Sequence, residues 1–210
     1  MSLIDRAKNI LLSPATEWEV IAKEPATVGG LLTGYAIPLM LLPLIGQIVG
    51  VGLLGVGAES YAMMGLGTIG LVGSAVIGGV GLILGIALLY AMIFAVNAVS
   101  PSFNGKSDMA QSAKLMVYAS TPSWIAGLII PALGILGSVI GLAVIAYVVY
   151  LIYIGAKPTL EVPQEKTAGF TVVTIVIYVV LSVILTIFIF GALLTAILGT
   201  GMMAGAASGM

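Results

Sequence analysis

Long runs of apolar residues dominate the chain, and short islands of charged residues separate them. The four uncharged stretches are residues 25–58, 60–105, 115–156 and 167–210. Each is longer than the roughly 20 residues that a helix needs to cross a bilayer. The pattern therefore predicts an all-α fold, a polytopic integral membrane bundle of helices.

The uncharged stretches divide into five predicted transmembrane helices. The stretch 60–105 counts once, because a break at Gly78-Gly79 leaves halves too short to cross. The stretch 115–156 counts twice, because the Pro131–Gly134 segment is typical of a turn. Within the first span, Pro38 and Pro43 predict kinks. The predicted spans are about 29–55, 69–97, 110–130, 135–155 and 169–197, with a flexible tail at 198–210.

Residues 1–28 form a charged N-terminal amphipathic arm. Apolar residues recur on one helical face from Leu3 to Leu11, and Ser13-Pro14 is typical of an N-cap followed by proline in the first turn. We interpret the arm as two short helices on the membrane surface, with Trp18 at headgroup depth. The alternative is a solvated arm packed on the bundle.

The positions of the charges predict an orientation. When the N-terminus is cytoplasmic, all 7 Lys and Arg residues fall on the cytoplasmic side of a five-span chain. This asymmetry is typical of membrane proteins. The C-terminal tail and the loop near 56–68, which carries Glu59, then lie outside. We expect the protein in the cell membrane, either an inner or a plasma membrane.

Composition excludes several function classes. Charged residues make up 7% of the 210 residues, against about 25% in soluble domains. The chain has no Cys and no His, so it lacks the usual nucleophile, general base and metal ligands. We therefore expect no catalytic residues, no metal and no cofactor. A net charge of −1 without a basic run argues against a nucleic-acid partner.

One polar stripe stands out in the third span. Asp108 is a candidate N-cap with Gln111 three residues on, as in a capping box. The stripe follows at helical spacing and comprises Gln111, Lys114, Tyr118 and Thr121, with Pro122 at its deep end. An ionisable group in a span suggests a ligand or ion pathway. The alternative is anchoring, with Lys114 snorkelling to the headgroups.

Smaller signals concern packing between helices. Asn97, at the end of the second span, is placed to form a hydrogen bond with another helix or to contact a ligand. Three G-x-x-x-G pairs allow close helix contact, either within one chain or in a homo-oligomer. These pairs are Gly46 with Gly50, Gly81 with Gly85, and Gly137 with Gly141.

Four segments together resemble the Yip family of Ypt/Rab-GTPase-interacting membrane proteins, in its prokaryotic branch. They are Ser13-Pro14 with Trp18; Tyr35–Leu39 followed by Gly50; Ser100–Gly105 leading to Tyr118–Pro122; and Tyr150–Gly155 with Val162–Lys166 and Thr171–Val173. Asn104 stands where we expect glycine, and asparagine also adopts the left-handed conformation. The resemblance implies a five-span bundle with a cytoplasmic N-terminus.

The resemblance and the missing catalytic groups favour a non-enzymatic membrane scaffold or adaptor. Its cytoplasmic loops would recruit an unidentified membrane or cytoplasmic protein, or organise lipid of the bilayer. The candidate contacts in these loops are Phe103, Lys106, Pro163, Glu165 and Lys166. The alternative is a channel or transporter for an ion, lipid or small solute, which would use the polar stripe.

Overall fold

The computed structural model describes residues 1–57 and 69–208, with side chains as far as Phe188. The helices are α1 (Leu3–Leu12), α2 (Pro14–Lys23), α3 (Val28–Leu31), α4 (Ile37–Gln47), α5 (Leu71–Val99), α6 (Met109–Ala119), α7 (Thr121–Gly127), α8 (Ile135–Leu160) and α9 (Gln164–Ser208). Short π-helical turns occupy Leu32–Ala36 and Ile48–Leu53, and 3-10 turns occupy Ser100–Phe103 and Ile130–Ala132. The all-α class is confirmed.

Five helical segments in the described ranges are long and apolar enough to cross a membrane. They are Val28–Leu53, Leu71–Phe103, Met109–Ala132, Ile135–Leu160 and Gln164–Phe188, and we call them spans one to five. The predicted number of transmembrane helices is therefore confirmed. Most of the predicted outer loop near 56–68, with Glu59, lies outside the described residues.

Several helix ends differ from the predicted boundaries. Helix α8 continues past 155 to Leu160, and Glu161 ends it in the left-handed conformation with φ 55°. Helix α9 begins at Gln164 and continues to Ser208, where we expected an end near 197 and a flexible tail. Glycine lowers helix propensity without forbidding a helix, so the Gly-rich composition of this segment is a weak stop signal.

Prolines and π-helical turns mark irregularities in two spans. In the first span, a π-helical turn ends at Ala36, two residues before Pro38, and Pro43 lies inside α4. The third span breaks at Ser120, and Pro122 takes its place in the first turn of α7. A proline has no N–H to donate, so a first helical turn accommodates it at little cost.

The arm packs on the helical bundle, which corrects the interpretation of a membrane-surface position. Helix α2 lies against α8 and α6, and the Tyr147 hydroxyl donates a hydrogen bond of 2.8 Å to the Leu11 carbonyl. Trp18 is 1% exposed, so its indole is buried in protein and not at the surface that headgroups contact. The buried face of the arm is thus covered by helices of the bundle, and helical periodicity alone does not reveal what covers it.

Close contacts between glycine and backbone join the spans within one chain. An added Cβ at Gly46 would overlap the Gly127 and Leu128 carbonyls, and one at Gly50 would lie 2.6 Å from the Pro131 carbonyl carbon. This first predicted G-x-x-x-G pair therefore packs span one on span three. Gly81, by contrast, has no heavy atom within 4 Å of its added Cβ.

Candidate functional site

The polar stripe begins at a capped helix end. The Asp108 carboxylate accepts hydrogen bonds from the backbone N–H groups of Ala110 and Gln111, at 2.8 and 3.0 Å. This confirms Asp108 as the N-cap of α6. The side chain of Gln111 points to a different partner, because its Nε2 donates to the Ala22 carbonyl at 3.0 Å.

Lys114 binds the C-terminal end of the second arm helix. Its Nζ donates hydrogen bonds to the Ala22 carbonyl at 3.1 Å and to the Glu24 carbonyl at 2.6 Å, and the residue is 3% exposed. The last carbonyls of a helix lack intrahelical donors and carry partial negative charge. The Lys114 ammonium donates to these carbonyls and its positive charge is attracted to their partial negative charge. Lys114 therefore acts as a clamp that holds the arm on the bundle.

Deeper along the stripe, Tyr118 lies in an aromatic and cationic environment. Its ring contacts the rings of Trp18 and Tyr35 edge-on, with centroids 6.5 and 4.8 Å away. The Arg6 guanidinium carbon lies 5.5 Å from the Tyr118 centroid, which is within the range of a cation–π contact. Thr121 continues the stripe with a hydrogen bond of 3.0 Å between its hydroxyl and that of Tyr35.

Sequence reasoning missed several residues of this cluster, among them the buried pair Arg6 and Glu17. Each is 5% exposed, and they form an ion pair within the protein. Arg6 also pairs with the Glu24 carboxylate, and the Asn9 amide donates to Glu17 at 3.1 Å. Buried charges need such partners because they have lost their hydration. A basic and an acidic residue flanking the Ser13-Pro14 break were the available signal.

We call this group the arm cluster: Arg6, Asn9, Glu17, Trp18, Glu24, Tyr35, Lys114, Tyr118 and Thr121. It joins the arm to spans one and three through side chains that are distant in sequence. Trp18 completes it by resting on Gly155, where an added Cβ would lie 2.7 Å from an indole carbon. All four residues of the predicted stripe therefore contact other parts of the same protein, in the arm or in span one.

Asn97 and Pro122 have other environments. The Oδ1 of Asn97 is buried without a hydrogen-bond partner among the described residues, so this oxygen accepts no bond from another helix. Pro122 is buried at the break of the third span. Neither residue belongs to the arm cluster.

The two loops at the same end of the bundle join into one surface. The Lys106 backbone N–H donates to the Leu160 carbonyl at 2.7 Å, and the Lys106 side chain pairs with Glu161. Phe103 packs edge-on against Phe170 with centroids 5.9 Å apart. We call residues 100–108 and 160–166 the loop platform, because backbone and side-chain contacts hold the two loops together.

The candidate contacts are exposed to different degrees on this platform. Lys106 and Glu165 are exposed, whereas Phe103, Pro163 and Lys166 are half-buried. Asn104 has φ 60° and ψ 22°, which confirms the expected left-handed turn. Because the turn directs the chain back toward Leu160, the platform presents a defined outer face with residues Pro101, Ser102, Asn104 and Glu165.

The described residues include paired charges in the arm cluster and exposed side chains on the loop platform. Among them, no group of three or more His, Cys, Asp or Glu side chains could hold a metal ion. The charged groups of the arm cluster form ion pairs with each other or hydrogen bonds with backbone carbonyls. On the loop platform, by contrast, Lys106 and Glu165 are exposed side chains that a partner could reach.

Comparisons with known proteins give one match. A family model described as Yip1 domain matches residues 8–187, which covers the arm from Lys8 and all five spans. No curated protein matches the chain significantly. No solved structure does so either.

Proposed function

The chain belongs to the Yip1-domain family, and on that premise we propose that this multi-pass membrane protein is a non-enzymatic scaffold or adaptor. Its loop platform recruits a protein partner or organises lipid at the cytoplasmic face of a cell membrane. The arm and platform lie at the end of the bundle where the basic residues collect, and this distribution supports a cytoplasmic N-terminus.

The observation that carries the proposal is the joined structure of the loop platform. Two loops that are over 50 residues apart in sequence are held by a backbone hydrogen bond and an ion pair. Phe103 of the first loop also packs on Phe170 of span five. Holding the two loops in one geometry costs conformational entropy. A rigid surface of this kind is pre-organised for binding, because a partner need not order it again.

Site-specific crosslinking in native membranes tests the proposal. A photoreactive amino acid is placed at Ser102 or at Glu165, two exposed platform positions, and at Val172 as a control that is exposed on an apolar helix face. We expect one defined protein adduct, or lipid of one headgroup type, from the platform positions, and only unselective adducts with bilayer lipid from Val172. Recovery of only the protein itself, or the same adducts at all three positions, would contradict an adaptor role.

A loop variant sharpens this test. Lys106→Ala removes the ion pair with Glu161, whose side chains are 65% and 57% exposed. Exposed ion pairs contribute about 0–1 kcal/mol to the free energy of unfolding, so the variant should keep its fold. We expect the platform adduct to weaken while the helical content stays unchanged. Glu19→Ala, an exposed charge on the arm, is the matched control.

A second candidate function is passage of an ion or small solute beside the third span. A cleft of about 500 Å³ opens between Lys114, Tyr118 and the Glu24–Thr27 linker, and this favours a ligand near the stripe. The engagement of Gln111 and Thr121 with other residues weighs against a continuous path. Flux into liposomes, compared between the unaltered protein and Lys114→Ala, separates this candidate from the adaptor.

A further inference from the structure

An apolar cavity of about 200 Å³ lies between spans two, three, four and five, near their middle residues, and Met40 of span one also lines it. Its inner wall consists of buried side chains, including Met92, Met116 and Trp124. Its rim includes Ile145 and Tyr178, which are 60% and 48% exposed. The cavity therefore extends from the core of the bundle to the surface that faces the bilayer.

The break in span three explains why this space is present. Beyond Ser120, α7 packs closely on α4, where an added Cβ at Gly127 would lie 2.7 Å from the Pro43 Cγ. On span five, the side chains beyond Thr174 are largely exposed, as at Val176 and Val180, so little of the protein covers this span at this level. The two spans separate at this level, and protein atoms do not fill the space between them.

Four residues with hydroxyl groups line the cavity. Two of them, Ser123 and Tyr178, are exposed residues of the rim, and the other two lie deeper. Ser120 donates to the Met116 carbonyl at 2.7 Å, and Thr174 donates to the Phe170 carbonyl at 2.8 Å. Both donors are thus used within their own helices. A buried water needs two to four polar partners, and apolar cavities of this size stay dry.

We propose that this cavity binds the acyl chain of a membrane phospholipid. The exposed rim faces the hydrocarbon part of the bilayer, so the nearest mobile apolar groups are lipid tails. An empty space of this kind forfeits van der Waals contacts on its walls. A flexible acyl chain restores these contacts and has no polar group of its own to desolvate, and the lining is mostly apolar. The site is independent of the loop platform and of the partner proposed there.

The two tryptophans of the chain allow a direct test. Trp124 lines the cavity, whereas Trp18 is buried beneath the arm and does not. The protein is reconstituted in phosphatidylcholine vesicles whose acyl chains carry bromine near the methyl end, which quenches tryptophan fluorescence on close approach. Trp124→Phe, which leaves only Trp18, gives the background that is subtracted to obtain the quenching of Trp124.

Filling the cavity distinguishes a bound chain from surrounding lipid. Val148→Phe and Val149→Phe each place a ring in the cavity, and Val176→Phe places the same ring on the exposed surface of span five. We expect either filling variant to reduce Trp124 quenching by roughly twofold, because the added ring takes the space of the chain. Val176→Phe should leave the quenching unchanged. Circular dichroism verifies the helical content of each variant.

Two results would overturn the proposal. Equal quenching in the filling variants and in Val176→Phe would show that the bromines act from lipid around the bundle. Quenching that falls as the protein-to-lipid ratio rises would instead assign the cavity to a second copy of the chain. Strong quenching that falls about twofold in both filling variants, at every protein-to-lipid ratio, supports the acyl chain.

Discussion

The ammonium group of Lys114 donates a hydrogen bond of 2.6 Å to the backbone carbonyl of Glu24. The donor lies in the third span, and the acceptor ends the second arm helix. With its second bond, to Ala22, the lysine clamps the arm to the bundle. A lysine in a span suggests a transport pathway by default, but here its contacts explain a structural role.

Lys114→Met should release the arm. The substitution keeps the apolar stem and removes two charge-assisted hydrogen bonds, a loss of about 2–4 kcal/mol in arm docking. Amide hydrogen exchange in detergent micelles should then show faster exchange over Pro14–Lys23, with the spans unaffected. Lys106→Met, at an exposed lysine, is the control. Unchanged protection of α2 would show that Lys114 does not hold the arm.

Gly155→Ala should destabilise the contact between the arm and span four. The added methyl would lie 2.7 Å from the Trp18 ring, and overpacking of this kind costs about 1–3 kcal/mol. Gly141→Ala on the same helix is the matched control, because the nearest atom to its Cβ is 4.0 Å away. Denaturant unfolding followed by tryptophan fluorescence compares the two. An equal denaturant midpoint for both variants would show that Trp18 does not pack tightly on Gly155.

Arg6 and Glu17 should behave as one unit in a double-mutant cycle. Arg6→Met or Glu17→Gln alone leaves the other residue as a buried charge without this ion-pair partner. We expect this to lower the free energy of unfolding by about 3–5 kcal/mol. The double variant should cost clearly less than the sum of the single variants. Glu19→Gln, an exposed neighbour, should change the free energy of unfolding by less than about 0.5 kcal/mol. Additive single effects would contradict the buried pair.

Single cysteines should report the predicted orientation, since the chain has no natural cysteine. Asn104→Cys lies on the loop platform, and Leu133→Cys lies in the turn between spans three and four. If all 7 basic residues are cytoplasmic, a membrane-impermeant thiol reagent added outside intact cells labels only Leu133→Cys. Labelling of Asn104→Cys under these conditions would invert the topology.

The sequence was sufficient to predict helix caps and turns, because these depend on interactions between neighbouring residues. Asp108 accepts two N–H groups of the helix that follows it, and Asn104 adopts a left-handed turn that few residue types tolerate. Each depends on a side chain and its immediate backbone. The five spans follow in the same way, because the cost of exposing peptide groups to hydrocarbon requires helices of a set minimum length.

The arm shows why the remainder could not be predicted. Its periodicity identifies an apolar face, but Arg6 and Glu17 lie outside that face and are nonetheless buried. Their burial depends on Glu24 and on the ring of Tyr118, which lies over 100 positions away from both. Trp18 was assigned to the interface by its residue type, whereas Gly155 supplies the space that accepts it.

The amino-acid sequence by itself determined a five-span membrane protein, the separation of basic residues to one end, and the local caps and turns. These properties follow from hydrophobicity and backbone preferences, which act over a few neighbouring residues. Only the tertiary structure decided that Lys114 holds the arm, that Arg6 and Glu17 are buried, and that a break at Ser120 leaves a cavity. These depend on which helix faces meet, and that choice is made by packing among residues far apart in the chain.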